Sequence, residues 1–465
     1  MRATGSPFAR AVCVAIVFAV GLGASVYPVL RSPEQIRNGI GPFGDSYLYL
    51  TMGYNLYAGH GLSGTDDGGG FGEPSGARVV AYAPSVMRGP VYPFFIRIVY
   101  EWFGRREAMT SANDWHINWD RVRIAQCVLH AVTCLLVFLI AKNLWPEMFW
   151  PAWLAGLLQA LGVYSLYYTR ALLSESVTTL LVTLSILLTV LALRARRLPW
   201  WIAAGAVLGV TALTRPEFAP VPLVLAAYAV FASRERVRLT LRNAGALIAA
   251  AIVVVAPWTI RNYRVSGRMI LVADSGLGRT LYFGTFEAPQ TWREWQDMPD
   301  SLFFLPREKE RLATLLPQYY RAVQQGGPTM LAVDAEFTRM ALNRIRAQPL
   351  ACARYWIMKI PRLWFQYYVP MYLESEASGA WFVAYFMFAL LGFAFAAREQ
   401  RVLMGVVGVL FAYVNLIFLP LYLEPRYGVA LMPGILALAG IGLAKLVLTA
   451  RNHWQAHTAR LAPRP

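Results

Sequence analysis

The sequence predicts an all-α polytopic membrane protein, a bundle of about ten transmembrane helices with interfacial helices and two large outer loops. Three observations carry that prediction. Of 465 residues, 57% are hydrophobic and only 15% charged, where a soluble chain carries roughly a quarter charged residues. Apolar runs close to the ~20 residues needed to cross a bilayer recur along the chain. The basic residues behind the net charge of +17 fall in short runs between those segments, the positive-inside pattern that orients a chain in a membrane. That distribution argues against nucleic acid as a partner.

The first span, residues 9–30, follows Arg2 and Arg10. Its apolar run is long for a signal h-region, so an uncleaved helix is expected, although Gly23-Ala24-Ser25 would suit a cleavage site. Further spans are predicted over 121–141, 150–168, 174–193, 199–214, 217–232, 244–260, 379–397, 402–421 and 428–449. Residues 89–104 decide the topology. If they span, the clusters at Arg194–Arg197 and Arg234–Arg242 fall outside. If they do not, Lys142, both clusters, Arg398, Arg401 and the basic tail all fall inside with the N-terminus. The second arrangement satisfies the basic-residue rule at every short loop. Residues 89–104 are also short for a span and carry Arg97 and Glu101, so they are read as interfacial or re-entrant. The aromatic-rich stretch 352–370, with Lys359, Pro361 and Arg362, is read as a helix at headgroup level.

This topology puts a first outer loop at 31–120 and a second at 261–351. It gathers Asp45, Arg88, Arg170, Glu175, Arg215, Arg261 and Glu424-Pro425-Arg426-Tyr427 at one membrane surface. Two carboxylates among several arginines suit a phosphate-bearing lipid: guanidinium groups bind phosphate, and a carboxylate can deprotonate a hydroxyl. Each residue also has a plainer reading. Asp45 and Glu175 stand where helix N-termini favour acids, a lone interfacial Arg serves as an anchor, and Glu424–Tyr427 can be a turn. Their joint occurrence on one side favours a site. His60, Tyr82, Trp292 and Trp295 on the outer loops are candidate sugar-facing surfaces or interface anchors. Asp66-Asp67, in a glycine-rich stretch, reads as flexible loop rather than a calcium site. The four cysteines and five histidines show no CxxC or HExxH spacing, and no phosphate-loop or dinucleotide-binding motif is present.

At these residues the chain resembles the GT-C superfamily of polyprenyl-phosphate-sugar glycosyltransferases, nearest to the protein O-mannosyltransferase and lipid A aminoarabinose transferase group. The pieces are Asp45 with Tyr49 and Tyr54-Asn55-Leu56, Arg88-Gly89-Pro90-Val91-Tyr92-Pro93, Tyr168-Thr169-Arg170 through Ser174-Glu175, and Leu213-Thr214-Arg215-Pro216. Ala256-Pro257-Trp258 through Arg261-Asn262-Tyr263, then Gly276 with Leu281-Tyr282-Phe283-Gly284, and finally Glu424-Pro425-Arg426-Tyr427 complete the series.

The resemblance implies a GT-C-type bundle that moves a sugar from a polyprenyl-phosphate donor to a hydroxyl of a lipid, glycan or protein acceptor, with inversion. The catalytic module would be 1–260, followed by the second outer loop, 261–351, and C-terminal membrane helices with a short cytoplasmic tail, 352–465. The protein is expected in the inner or plasma membrane, its site facing the periplasm or cell exterior. Asp45 is implied as general base and Glu175 as second acid. Arg170, Arg215, Arg261 and Arg426 would bind donor phosphate, and Arg88, Tyr92, His60 and Tyr282 would contact substrate. In some relatives the acidic pair, here Asp45 and Glu175, holds a divalent cation (Mg or Mn), and others work without one, so the metal requirement stays open. Two departures bear on this. Ser46 stands where relatives often have a second acid, which weakens the metal reading. Arg88 replaces an acidic or lysine residue, which leaves sugar and acceptor open. A secondary transporter and a lipid-linked glycan ligase are the alternatives.

Overall fold

The computed structural model describes residues 7–31, 44–63, 84–103, 119–232, 237–274, 276–286, 307–325, 328–365 and 376–461. Among them are seventeen α-helices and no strand. The first nine are α1 (Pro7–Arg31), α2 (Gly44–Tyr57), α3 (Val91–Phe103), α4 (Trp119–Leu144), α5 (Trp150–Ala160), α6 (Val163–Arg170), α7 (Glu175–Ala195), α8 (Leu198–Thr214) and α9 (Val221–Ala232). The rest are α10 (Val237–Ser266), α11 (Leu277–Phe283), α12 (Glu308–Gln325), α13 (Pro328–Ala347), α14 (Pro349–Phe365), α15 (Glu376–Ala394), α16 (Arg398–Phe418) and α17 (Met432–Leu461). Short 3₁₀ turns, Pro216–Phe218 and Pro425–Leu431, lead into α9 and α17.

The ten predicted spans fall largely on helices, and two are interrupted: 150–168, and 217–232, where residues 219–220 separate a 3₁₀ turn from α9. Among the described residues six stretches are long and apolar enough to cross a membrane by themselves: α1, α4, α7, α10, α16 and Pro425–Gln455. The predicted span 150–168 is two helices, because Gly162 leaves the helical region at ψ 104°; glycine is the weakest helix former after proline. Residues 89–104 form the short amphipathic helix α3, as expected for an interfacial segment. Of the predicted headgroup-level stretch 352–370, residues 352–365 lie in α14 and the rest lie outside the described residues. α14 buries Cys352, Lys359, Leu363 and Trp364 on one face and leaves Ile357 and Met358 exposed. α10 runs on through Arg261 to Ser266, so the second outer loop starts later than predicted.

The bundle is layered by burial. The apolar windows of α7 and of Pro425–Gln455 are 78% and 72% buried, those of α1 and α10 only 22% and 28%. The central helices meet protein all round, and the peripheral ones keep apolar faces, such as Ile252 and Val253 of α10, outside; such faces suit lipid. Three hydroxyls of α7 bond back to the preceding turn: Thr178, Thr183 and Thr189 donate to Ser174 O, Thr179 O and Ser185 O at 2.8, 2.6 and 2.7 Å. At one end of the bundle lie cations: Lys142 donates to Pro146 O, Arg194 to Asn143 and Arg401 to Ala396 O, and Lys445 sits over Trp145. The predicted outer residues collect at the other end.

There, α11, α12 and α13 build a small second core from Tyr282, Phe283, Leu312, Leu316, Tyr319 and Phe337, and Met87 joins it. Inside it Arg344 donates to both oxygens of Glu308 at 2.8 and 2.9 Å, with both side chains buried. The Asp334 carboxylate accepts from the backbone N–H of Gly278 and Arg279 at the start of α11.

Close helix contacts fall on glycines. A side chain at Gly442 of α17 would meet Phe388 O of α15 at 1.8 Å, and one at Gly205 of α8 would meet Leu247 O of α10 at 2.1 Å. Small residues at such crossings let membrane helices pack backbone to backbone. Gly442→Val should therefore cost about 1–3 kcal/mol through overpacking and lower the melting temperature of the detergent-solubilised protein. Gly408→Val, where no neighbour lies within 4 Å, should melt like the wild type.

Candidate active site

Five segments, each next to a helix end, bring the charged residues together. Asp45 occupies the first turn of α2, where the exposed N–H groups of a helix start favour an acid. Arg88 reaches it because Gly89 lies flat on the end of α8: a Cβ there would sit 2.1 Å from Leu213 O. Arg88 Nη2 donates to Asp45 Oδ1 at 2.5 Å, and the guanidinium lies 6.0 Å over Tyr49.

Glu175 opens α7 and is buried. The turn before it is fixed from α4. Gln126 Nε2 donates to Thr169 O at 3.0 Å and Ala171 O at 2.9 Å, while its Oε1 accepts from Tyr92 OH at 2.7 Å. Arg123 Nε donates to Arg170 O at 3.0 Å. One fully satisfied buried amide thus holds the turn and α3 together.

Two prolines supply the remaining arms. Arg215-Pro216-Glu217 and Glu424-Pro425-Arg426 are mirror sequences, each with its proline opening a 3₁₀ turn. Arg215 donates through Nη1 to Glu175 Oε1 at 3.0 Å and through Nε to Glu217 Oε1 at 2.5 Å. Arg426 Nη2 donates to Asp45 Oδ2 at 2.9 Å, its Nη1 lies 3.7 Å from Glu175 Oε1, and its Nε pairs with Glu424 Oε2 at 2.5 Å. Both guanidiniums stand over the ring of Tyr427, at 5.0 and 5.6 Å, and Tyr427 stacks on Phe418. The segment that delivers Glu424 is anchored in turn: Tyr422 N–H donates to Thr280 O at 2.6 Å, and Lys359 Nζ donates to Gly284 O and Leu421 O at 3.1 and 2.5 Å.

Four carboxylates and three guanidiniums therefore share one cluster at one end of the bundle, leaving one net negative charge. Burial alone would push the Asp45 carboxyl up, but Arg88 and Arg426 outweigh it and hold it well below the usual carboxylate range.

Other predicted residues lie elsewhere. Arg261 donates to Ser85 O and Leu62 O at 2.5 and 3.3 Å and stands over Trp258 at 4.7 Å. It clamps the first outer loop, next to the Ser63–Pro84 bridge, and is not a member of the cluster. The Arg170 guanidinium lies over Tyr167 at 5.8 Å; its contribution near the site is its carbonyl. Tyr92 is fully buried with its hydroxyl on Gln126, and Tyr282 is fully buried with its hydroxyl on Glu308, so neither presents a face to a sugar. His60 is exposed in the turn after α2. Tyr82, Trp292, Trp295 and Asp66-Asp67 lie outside the described residues. Glu217, Gln126 and Arg123 were not singled out as site residues, and Glu424 was quoted without a role. The mirrored proline motifs were the available signal for the two acids.

Among the described residues no three His, Cys, Asp or Glu side chains gather as a metal site. Asp45 and Glu175 do converge on one point, but the Arg426 guanidinium fills it. As arranged, this pair does not fit a divalent cation.

Comparison with known proteins agrees with this architecture. Residues 87–260 match the family described as dolichyl-phosphate-mannose-protein mannosyltransferase. In structure the chain is similar to the oligosaccharyltransferase of Archaeoglobus fulgidus in its apo form, with 13% identity, TM-score 0.56, and 99% of this chain and 53% of that one covered. It is also similar to the oligosaccharyltransferase AglB of the same organism in complex with an inhibitory peptide and a dolichol-phosphate, with 12% identity, TM-score 0.53 and coverage of 98% and 52%. A looser likeness links it to ArnT from Cupriavidus metallidurans bound to undecaprenyl phosphate, at 14% identity, TM-score 0.41 and coverage of 94% and 77%. The chain spans about half the length of the oligosaccharyltransferases it matches. No curated protein matches it by sequence. The chain is thus a polytopic membrane protein with the GT-C-type fold that its sequence led us to expect.

Gln126→Leu removes three buried hydrogen bonds and leaves two carbonyls unpaired, at about 1–3 kcal/mol for each orphaned group. It should lower the melting temperature and activity together, whereas Gln126→Glu, which keeps the acceptor for Tyr92, should lose less of both.

Proposed function

We propose that the chain is a membrane glycosyltransferase that moves a sugar from a polyprenyl-phosphate donor to an acceptor hydroxyl on the extracytoplasmic face, with inversion. One observation carries this reading: Arg426 bridges Asp45 and Glu175, so both acids and the arginines face a single point at one end of the bundle. The basic residues at the opposite end support an outer-side position for the cluster.

In this reading the donor's phosphate meets Arg215 and Arg426. As the bond to the anomeric carbon breaks, negative charge grows on the departing phosphate, and fixed guanidiniums stabilise it there. Asp45 accepts the proton of the attacking hydroxyl. In the resting cluster Asp45 is a weak base, since two arginines hold it ionised. A donor phosphate that draws Arg426 toward itself strengthens that base at the moment it is needed. Glu175 Oε2, buried without a hydrogen-bond partner, offers a further acceptor for a sugar or acceptor hydroxyl.

A transporter would place its ionisable groups near the bilayer midplane. The break at Arg215-Pro216-Glu217 is real, but it lies at the end of the bundle with the other charges. Transfer of radiolabelled sugar from a polyprenyl monophosphate, with a lipid-linked oligosaccharide and a proteoliposome flux assay alongside, separates the three readings.

Asp45→Asn should lower turnover roughly 10²- to 10⁴-fold in a protein that still melts cooperatively; near wild-type turnover would remove Asp45 from the chemistry. The pH dependence follows from the sign of its shift. A carboxyl held below its ordinary 3.8 stays ionised throughout the neutral and mildly acidic range, and its ion pairs contribute stability above that value that is lost only as pH falls further. The profile of kcat/KM, which reports the free enzyme, should therefore show no Asp45-dependent acid limb between pH 4 and 7 (roughly the carboxylate-to-neutral range), as read by comparing wild type with Asp45→Glu.

A further inference from the structure

We infer that Glu424 is a tethered stand-in for the donor's phosphate: its carboxylate occupies the Nε edge of Arg426 in the resting enzyme, and an incoming lipid phosphate displaces it. The inference rests on the glycosyltransferase reading and adds a residue that sets donor affinity.

The cluster's charge balance leads to it. Arg88, Arg215 and Arg426 are all engaged by carboxylates. A phosphate that needs a guanidinium must take one from an acid. Asp45 is held by two arginines, Arg88 and Arg426, and Glu175 is buried. Glu217 is held by Arg215 on its carboxylate and by Tyr413 OH on its carbonyl. Glu424 has one arginine on its carboxylate and the Tyr427 N–H on its carbonyl. It is more exposed than Glu175 or Glu217, at 26% against 3% and 18%, and close to Asp45 at 29%, and it precedes the proline that begins the 3₁₀ turn. Its contact with Arg426 is an ion pair through one oxygen, Oε2 at 2.5 Å from Nε, a place that one phosphate oxygen can take.

The exchange is also electrically even. A polyprenyl-phosphate sugar is a diester with one negative charge, so replacing the Glu424 carboxylate by that phosphate leaves the cluster's net charge unchanged. After transfer the lipid leaves as a monoester of roughly −1.5 to −2 charge, which the same cluster holds less comfortably beside Asp45 and Glu175. Return of Glu424 to Arg426 then competes with the product and helps to release it.

The test is binding of undecaprenyl phosphate to the purified full chain in detergent, followed by calorimetry, with undecaprenol as a control that lacks the phosphate. Glu424→Gln should bind undecaprenyl phosphate roughly 10-fold more tightly than wild type, the scale of one charge-assisted hydrogen bond no longer contested, with undecaprenol unchanged. Glu424→Ala should do the same, and Glu424→Asp should stay near wild type. Unchanged or weaker binding by the neutral variants would overturn the inference, as would equal tightening toward undecaprenol. In the wild-type protein, carbodiimide labelling of Glu424 should rise when undecaprenyl phosphate is added; protection would overturn the idea without any variant. If wild type binds undecaprenyl phosphate but the neutral variants bind it no better, the inference alone fails. If no form binds it, the donor reading fails as well.

Discussion

The site depends on one guanidinium. Arg426, from the turn before the last helix, touches Asp45 from the first outer loop and lies within ion-pair reach of Glu175 at the head of α7. Like-charged carboxylates repel strongly where water is scarce, and a cation between them converts that repulsion into a shared attraction. Without Arg426 the two acids would have no reason to face each other, and α2, α7 and the C-terminal turn would lose their common contact. Arg88 and Arg215 extend the arrangement outward, each bound to one of the same two acids.

Such a cluster is costly to bury unless every charge is answered, since removing one member leaves another stranded. The surrounding structure meets that demand with backbone. Gln126 and Arg123 of α4 fix the turn that aims Glu175. Gly89 lets Arg88 approach α8, and Gly284 of α11 lies against Pro420, where a side chain would sit 2.0 Å from the carbonyl. The second outer loop is therefore part of the active-site scaffold: its small core includes Met87, next to Arg88, and its helix α11 bonds Tyr422, two residues before Glu424. The buried Glu308–Arg344 pair stiffens that core at a distance from the chemistry.

Much of this was legible in the sequence because hydropathy and charge act over whole segments. The predicted spans are largely helical, and Asp45, Glu175, Arg215 and Arg426, each adjoining a helix end on the predicted outer side, meet in space. Position on one face is a weaker constraint than position at one point, which is why Arg261 and Arg170 were grouped with them and do not join them. Aromatic rings near an interface read alike whether they face sugar or core, so Tyr92 and Tyr282 gave no sign of being buried. A lone glutamine within an apolar helix has no periodic signature, and the role of Gln126 emerges only once the 169–171 turn is seen beside it. The break at Gly162 was hidden for a related reason: a glycine in an apolar run is tolerated in many helices, and packing decides whether the helix continues.

The same balance that makes the cluster stable makes it responsive. With one net negative charge and every arginine engaged, the resting site is not an open phosphate receptor. An anion gains entry only where it can match, oxygen for oxygen, a carboxylate already bound. Glu424 sits on the guanidinium that also restrains Asp45. Donor capture and the restraint on Asp45 thus share one side chain, and an anion that takes the place of Glu424 meets the group that orients the base.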